Sequence, residues 1–192
     1  MLNVVLVEPE IPANTGNIGR TCVLAGARLH LVGPLGFELT DRAIERAGLA
    51  YWASLDVRTY PDWGRFRDEN LDAALTSCHL LTKAGGRTYA ETTYADGDWL
   101  VFGRESAGLD AALLAAHPER CERIPMLGDG ALANADAWHA SHTRLHPELR
   151  RDICGNFVDP RQGQITSLNL SNAVAIVVFE ALRQLGFPGM NA

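Results

Sequence analysis

The sequence predicts an α/β fold: a single domain whose mostly parallel sheet is flanked by helices. Three observations predict it. Short apolar runs of strand length alternate along the chain with helix-length segments, the pattern of helices packed on a parallel sheet. The first unit has an apolar run at 2–7, a helical segment at 14–25 and a second run at 29–32. A strand, helix and strand so closely spaced imply parallel strands joined by a right-handed crossover. With 192 residues, 47% of them hydrophobic, the chain can bury one sizeable core.

Residues 2–7 form the first strand, and the prolines Pro9 and Pro12 prevent its continuation because they donate nothing to a ladder. Asn14 or Thr15 is placed to cap the helix that follows, and Gly26 to end it. After the strand at 29–32 comes the loop Gly33-Pro34-Leu35-Gly36. A short helix is expected over 41–47 and a strand over 55–60. Pro61 then opens a helix with Asp62 in its first turn. Runs at 74–82 and 99–102 read as strands. Residues 109–116 read as a helix closed by His117-Pro118, and 122–126 as the last strand. The final helix covers 169–184, with Gly186 and Pro188 to stop it. Between 127 and 163 no apolar period is sustained, far beyond an ordinary connection, so this stretch is expected to be an insertion or lid.

Composition excludes several classes. No apolar run approaches the roughly 20 residues that span a bilayer. The N-terminus has no basic region and carries Glu8, unlike a secretory signal. Cys22, Cys78, Cys121 and Cys154 are widely spaced and form no C-x-x-C pair, which fits reduced thiols in a cytoplasmic protein. A net charge of −6 opposes nonspecific nucleic-acid binding but leaves room for a local basic patch or a dimer groove. There is no P-loop and no dinucleotide fingerprint after the first strand.

Instead, three polar or glycine-rich junctions each follow an expected strand. They are residues 14–20 (Asn-Thr-Gly-Asn-Ile-Gly-Arg), residues 102–109 (Phe-Gly-Arg-Glu-Ser-Ala-Gly-Leu), and Ile124-Pro125-Met126 with residues 167–174 (Ser-Leu-Asn-Leu-Ser-Asn-Ala-Val). In the third, small polar residues precede an apolar helix, whose first N–H groups lack partners within the helix. Ligands of open α/β sheets bind beyond the carboxyl ends of the strands, so the three junctions could converge on one site.

Together the patterns E-P-E-I-P-x-N-T-G-N-I-x-R, F-G-x-E-x-x-G-L and I-P-M with S-x-N-L-S-N-A-V resemble the SPOUT RNA methyltransferases. They are most similar to the subgroup that 2′-O-methylates the wobble nucleotide, position 34, of tRNA. The resemblance spans residues 1–126 and about 166–189. It implies a C-terminal trefoil knot, S-adenosylmethionine as methyl donor with S-adenosylhomocysteine as product, a homodimer and tRNA as substrate. The sulfonium is already an activated electrophile, so no metal is expected. The resemblance departs at two points: Thr166 stands where the family usually has an arginine, and the long insertion interrupts a normally short join.

Carried over, the cofactor contacts fall on Leu80, Gly103, Ile124 and Ser167. The residues alone also allow Leu80 and Ile124 to be core, and Gly103 to answer a turn. Arg20 is the expected catalytic residue. The family proposal makes it the base that takes the 2′-OH proton. Its own chemistry favours another role, since a guanidinium stays protonated and can grip the adjacent phosphate while stabilising charge on the 2′-oxygen. A surface ion pair is the plainer alternative. Asn14 can cap the helix, touch RNA or both, and Glu105 can orient Arg20 or Asn14, within one protomer or across the dimer. Ser171 and Asn172 can position the target nucleotide or cap the last helix.

His139, His142 and His146 lie at i, i+3 and i+7, a spacing that would suit a metal on one helical face, yet no cysteine or carboxylate completes a motif. Arg144, Arg150 and Arg151 in the same stretch could touch tRNA phosphates. Two other readings remain: a related enzyme acting on another tRNA or rRNA site, and an RNA-binding dimer without catalysis. The presence of Arg20, Glu105 and Asn172 together argues against the latter.

Overall fold

The computed structural model describes residues 1–38, 50–126 and 167–190. Its strands are β1 (Asn3–Val7), β2 (Arg28–Val32), β3 (Val57–Tyr60), β4 (Cys78–Leu81), β5 (Arg87–Thr88), β6 (Trp99–Phe102) and β7 (Cys121–Arg123). Its α-helices are α1 (Pro12–Ala25), α2 (Trp63–Asn70), α3 (Ala111–Ala116) and α4 (Leu170–Gln184). The described strands form one seven-stranded sheet, ordered β3-β2-β1-β6-β4-β7-β5, with every pairing parallel.

Both faces of the sheet are covered, which is why β1 reads as a continuous apolar run rather than an alternating one. Val4, Leu6, Leu29, Leu31, Leu100 and Phe102 point to a core shared with α1 and α4. Val5, Val32, Leu80 and Val101 point the other way, to Phe66 of α2 and to Leu109. On α4 the buried residues Val174, Val177, Val178, Ala181 and Leu182 recur at helical spacing and meet Ile18 and Cys22 of α1.

Several boundaries differ from expectation, each for a local reason. Helix α1 begins at Pro12 with Ile11 as cap, not at Asn14 or Thr15. Proline suits the first helical position because its missing N–H would have no partner there. The left-handed Gly26 (φ +61°) ends the helix as expected. Asp62 caps α2 by accepting from the Arg65 N–H at 2.8 Å, so it precedes the helix rather than lying in its first turn. Asp110 caps α3 in the same way, moving its start to Ala111. Strand β4 begins only at Cys78, because Leu75 adopts a positive φ and the Asp72 carboxylate accepts from the Thr76 N–H. Strand β7 ends at Arg123, so 124–126 form the loop beyond it. The two-residue edge strand β5 went unanticipated, being too short to show a pattern. Asn169 caps α4, and the expected end at Gln184 holds. The helix expected over 41–47, the 127–163 stretch, Cys154, Thr166, and the histidines and arginines of that stretch lie outside the described residues.

Candidate active site

Strand order places the site. From β1 the chain moves outward through β2 to β3, and then crosses to the other side of β1, where β6 is its neighbour. The connections from β1 and β6 therefore lead to helices on opposite faces of the sheet, and open α/β sheets take ligands beyond the carboxyl ends of the strands at such a point. Residues 8–14 leave β1 here, and residues 103–109 leave β6.

The two segments are tied by charge. Glu8, a non-glycine at φ +52°, receives an ion pair from Arg104 at 3.1 Å. The Glu10 carboxylate accepts from the Ser106 N–H at 2.9 Å and from its hydroxyl at 2.8 Å. In return Glu105 Oε2 accepts from the Glu10 N–H at 2.9 Å, and Oε1 from the Asn14 side-chain amide at 3.0 Å. Asn14 passes the link onward: its Oδ1 accepts from Asn169 Nδ2 at 2.9 Å. Asn169 Oδ1 then accepts from the Ser171 N–H at 2.8 Å and its hydroxyl at 2.7 Å. One hydrogen-bonded chain thus runs Glu105–Asn14–Asn169–Ser171 through all three polar junctions. Hydrogen bonds to a carboxylate in a half-buried setting are the strong members of such a chain.

This geometry decides between readings left open above. Asn14 does not cap α1; its amide is committed to Glu105 and Asn169. Glu105 orients Asn14 and the Glu10 backbone, and its described contacts do not include Arg20. Ser171 is buried and turned to the Asn169 cap, whereas Asn172 and Ser167 are exposed. Leu80 has its side chain wholly within the core on the α2 face, leaving only its backbone for a ligand. Ile124 is half-buried against the α1–α4 core. At Gly103 the loop itself leaves no room for a side chain. A Cβ there would stand 2.1 Å from the Gly108 carbonyl carbon, because the loop folds back on itself through the Arg104–Gly108 bridge.

Arg20 projects, exposed, from α1 over the ring of Tyr51, 5.1 Å from guanidinium carbon to ring centroid. The Tyr51 hydroxyl donates to the Gly16 carbonyl at 2.6 Å. Burial raises the Tyr51 pKa, while the Arg20 charge pulls it back.

A second polar cluster underlies the sheet. His79 on β4 hydrogen-bonds Glu122 on β7 at 2.8 Å and Asp98, just before β6, at 3.0 Å. The Tyr94 hydroxyl donates to Glu122 at 3.3 Å. Burial alone would lower the His79 pKa, but its hydrogen bonds to Asp98 and Glu122 and their negative charges raise it to about 9. Burial lifts the Cys22 and Cys78 thiols to about 12, so neither is a nucleophile at neutral pH. No group of described residues could hold a metal ion, and no helix among them is long and apolar enough to cross a membrane.

Sequence reasoning missed Tyr51, Asn169, and the His79 cluster. Asn169 sat in view inside the third motif; its signal was an Asn two residues before Ser171 at a helix start. Tyr51 gave no signal, because only folding brings it to α1.

An all-parallel sheet with these three junctions hydrogen-bonded together beyond β1 and β6 is the arrangement of the SPOUT class of methyltransferases. The chain belongs to the SpoU rRNA Methylase family, whose pattern matches residues 1–136. It is 40% identical over 190 residues to the tRNA (cytidine(34)-2′-O)-methyltransferase of Burkholderia pseudomallei (strain 1106a), covering 98% of this chain and 99% of that one. To the enzyme of the same name from Escherichia coli (strain K12) it is 39% identical, covering 98% and 97%. A solved structure described as giving insight into 2-OH methylation of C/U34 on tRNA superposes with a TM-score of 0.72, at 33% identity and 97% coverage of both chains.

Proposed function

We propose that this chain methylates the ribose 2′-oxygen of nucleotide 34, a cytidine or uridine, in tRNA, with S-adenosylmethionine as donor. The observation that carries this reading is 40% identity, along nearly the whole of both chains, to an enzyme named for that reaction. The convergence of the three motif junctions through Glu105, Asn14 and Asn169 supports it physically.

The strand ends suit the donor. An adenosine is recognised by backbone groups and an apolar wall. Leu80, Gly103 and Ile124 lie at or just past the carboxyl ends of β4, β6 and β7, neighbours in the sheet, and Ile124 offers a half-buried apolar side chain. Ser167, exposed before α4, is the fourth residue assigned to the donor. When bound, S-adenosylmethionine supplies a methyl group activated by its positive sulfur. As the new C–O bond forms, the donor's C–S bond would break to leave S-adenosylhomocysteine, and the ribose hydroxyl would release its proton to bulk water. The Arg20 guanidinium binds the neighbouring phosphate with its two-pronged face and stabilises negative charge gathering on the 2′-oxygen. Buried Asn14, held by Glu105 and Asn169, ties the three junctions together beneath the site, and exposed Asn172 meets the target nucleotide.

The reading also includes a single domain over 1–192 with its insertion at 127–163, a trefoil knot at the return to α4, and a cytoplasmic homodimer. The dimer is supported by exposed Leu24 on α1 (71%) and Phe179 on α4 (46%), large apolar side chains on the two helices that pack together.

Mass spectrometry of nucleosides tests the reaction. The protein is incubated with S-adenosylmethionine and tRNA from a strain lacking ribose methylation at nucleotide 34. A new 2′-O-methyl group at position 34 is expected. Methylation only elsewhere in tRNA, or only of ribosomal RNA, overturns the substrate.

A further inference from the structure

We propose that Tyr51 is a positioning residue for Arg20, holding its guanidinium in place before the RNA arrives. This rests on the role proposed above for Arg20. Tyr51 lies in a short 3-10 helix, Ala50–Ser54, that packs on α1 at the buried residues Gly16 and Gly19. Its hydroxyl is anchored to the Gly16 carbonyl, one turn of α1 before Arg20, and its ring lies beneath the guanidinium. The same short helix is seated at Gly19, where an added Cβ would stand 3.0 Å from the Trp52 ring and 3.2 Å from Leu55. Arg20 is thus flanked by a contact at Gly16 and another at Gly19, both from one segment. Among the described residues no carboxylate is paired with Arg20; Tyr51 meets it through the ring face and through the hydroxyl.

The physical reason is entropic and electrostatic. A free arginine side chain spreads over many rotamers, and confining it on binding carries an entropic cost. An aromatic face restrains the cation without neutralising it, since the attraction comes from the ring quadrupole rather than a counter-charge. A carboxylate partner would compete with the phosphate; a tyrosine ring does not.

The test uses the full chain, the same unmethylated tRNA and S-adenosylmethionine. Replacing the ring with Tyr51→Leu should lower kcat about three- to tenfold, the range a cation–π contact represents. The KM for S-adenosylmethionine should stay within about twofold. Tyr51→Phe keeps the ring and should recover at least half of the lost rate. Tyr51→Met, with similar bulk and no π face, should behave as Tyr51→Leu and carries the test if the leucine variant melts early. An unchanged kcat in both ring-less variants overturns the proposal. So does a rate for Tyr51→Phe as low as theirs, which would assign the effect to the Gly16 hydrogen bond. Arg20→Ala separates the two levels. If it retains near wild-type activity, the Arg20 role itself falls; if it is inactive while Tyr51→Leu is normal, only the positioning falls.

Discussion

With Pro12 as the first residue of α1, Asn14 becomes the third, beyond the reach of a capping role. Its amide is released to join Glu105 to Asn169, one donor and one acceptor used on opposite sides. The same logic of committed polar atoms applies to His79, buried between Asp98 and Glu122, with Tyr94 and Arg87 also facing Glu122. Its folded pKa is raised, to about 9, above the ordinary histidine value of 6.5. The imidazolium therefore contributes stability fully below about pH 6.5. That contribution is lost as pH rises through 9. Urea unfolding at several pH values should show stability falling between pH 7 and pH 10. In His79→Gln the slope across this window should flatten; an unchanged slope would remove His79 as its cause.

At the scale of elements, the loop between β6 and α3 is built on one missing side chain. Gly103 admits the backbone of Gly108 and Leu109, so the loop closes and Glu105 is presented toward α1. The obstacle to a side chain is backbone, which cannot rotate away. Gly103→Ala should therefore cost about 3 kcal/mol, the upper end for an overpacked site. For a chain of this size that corresponds to a melting temperature lower by about 10 °C. Methylation should fall with it, since Glu105 loses its place. A normal melting curve with full activity would contradict the packing argument. The short helix carrying Tyr51 is the matching device on the other flank of α1.

For the whole molecule, strand order sets where the three junctions meet, and the homodimer proposed above can be tested at Leu24 and Phe179, the two exposed large apolar side chains on α1 and α4. Leu24 and Phe179 expose large apolar area on helices whose opposite faces are core. Sedimentation equilibrium should find a dimer at micromolar concentration. Phe179→Asp should shift it toward monomer by placing a charge in the contact. A wild-type monomer at that concentration, or a dimer indifferent to the substitution, would remove this face as the interface.

The sequence by itself determined the parallel α/β class, because apolar runs of strand length separated by helices permit little else. It also determined the three polar junctions and hence the family, since these are local patterns of residue type. The strands that were read well, β1, β2 and β6, are buried on both faces and so mostly apolar, with His30 of β2 a buried exception. Those read poorly lie toward the edge or end in polar turns, where a few hydrogen bonds such as Asp72 to Thr76 outweigh propensity. Only the tertiary structure decided that β6 lies beside β1, since strand order is a long-range property that no local pattern encodes. From that order follows the pairing of Glu105 with Asn14 rather than Arg20, and from the packing of the Ala50–Ser54 turn on α1 follows the meeting of Tyr51 with Arg20. Each joins residues 31 to 91 positions apart in the chain, a distance across which only packing carries information.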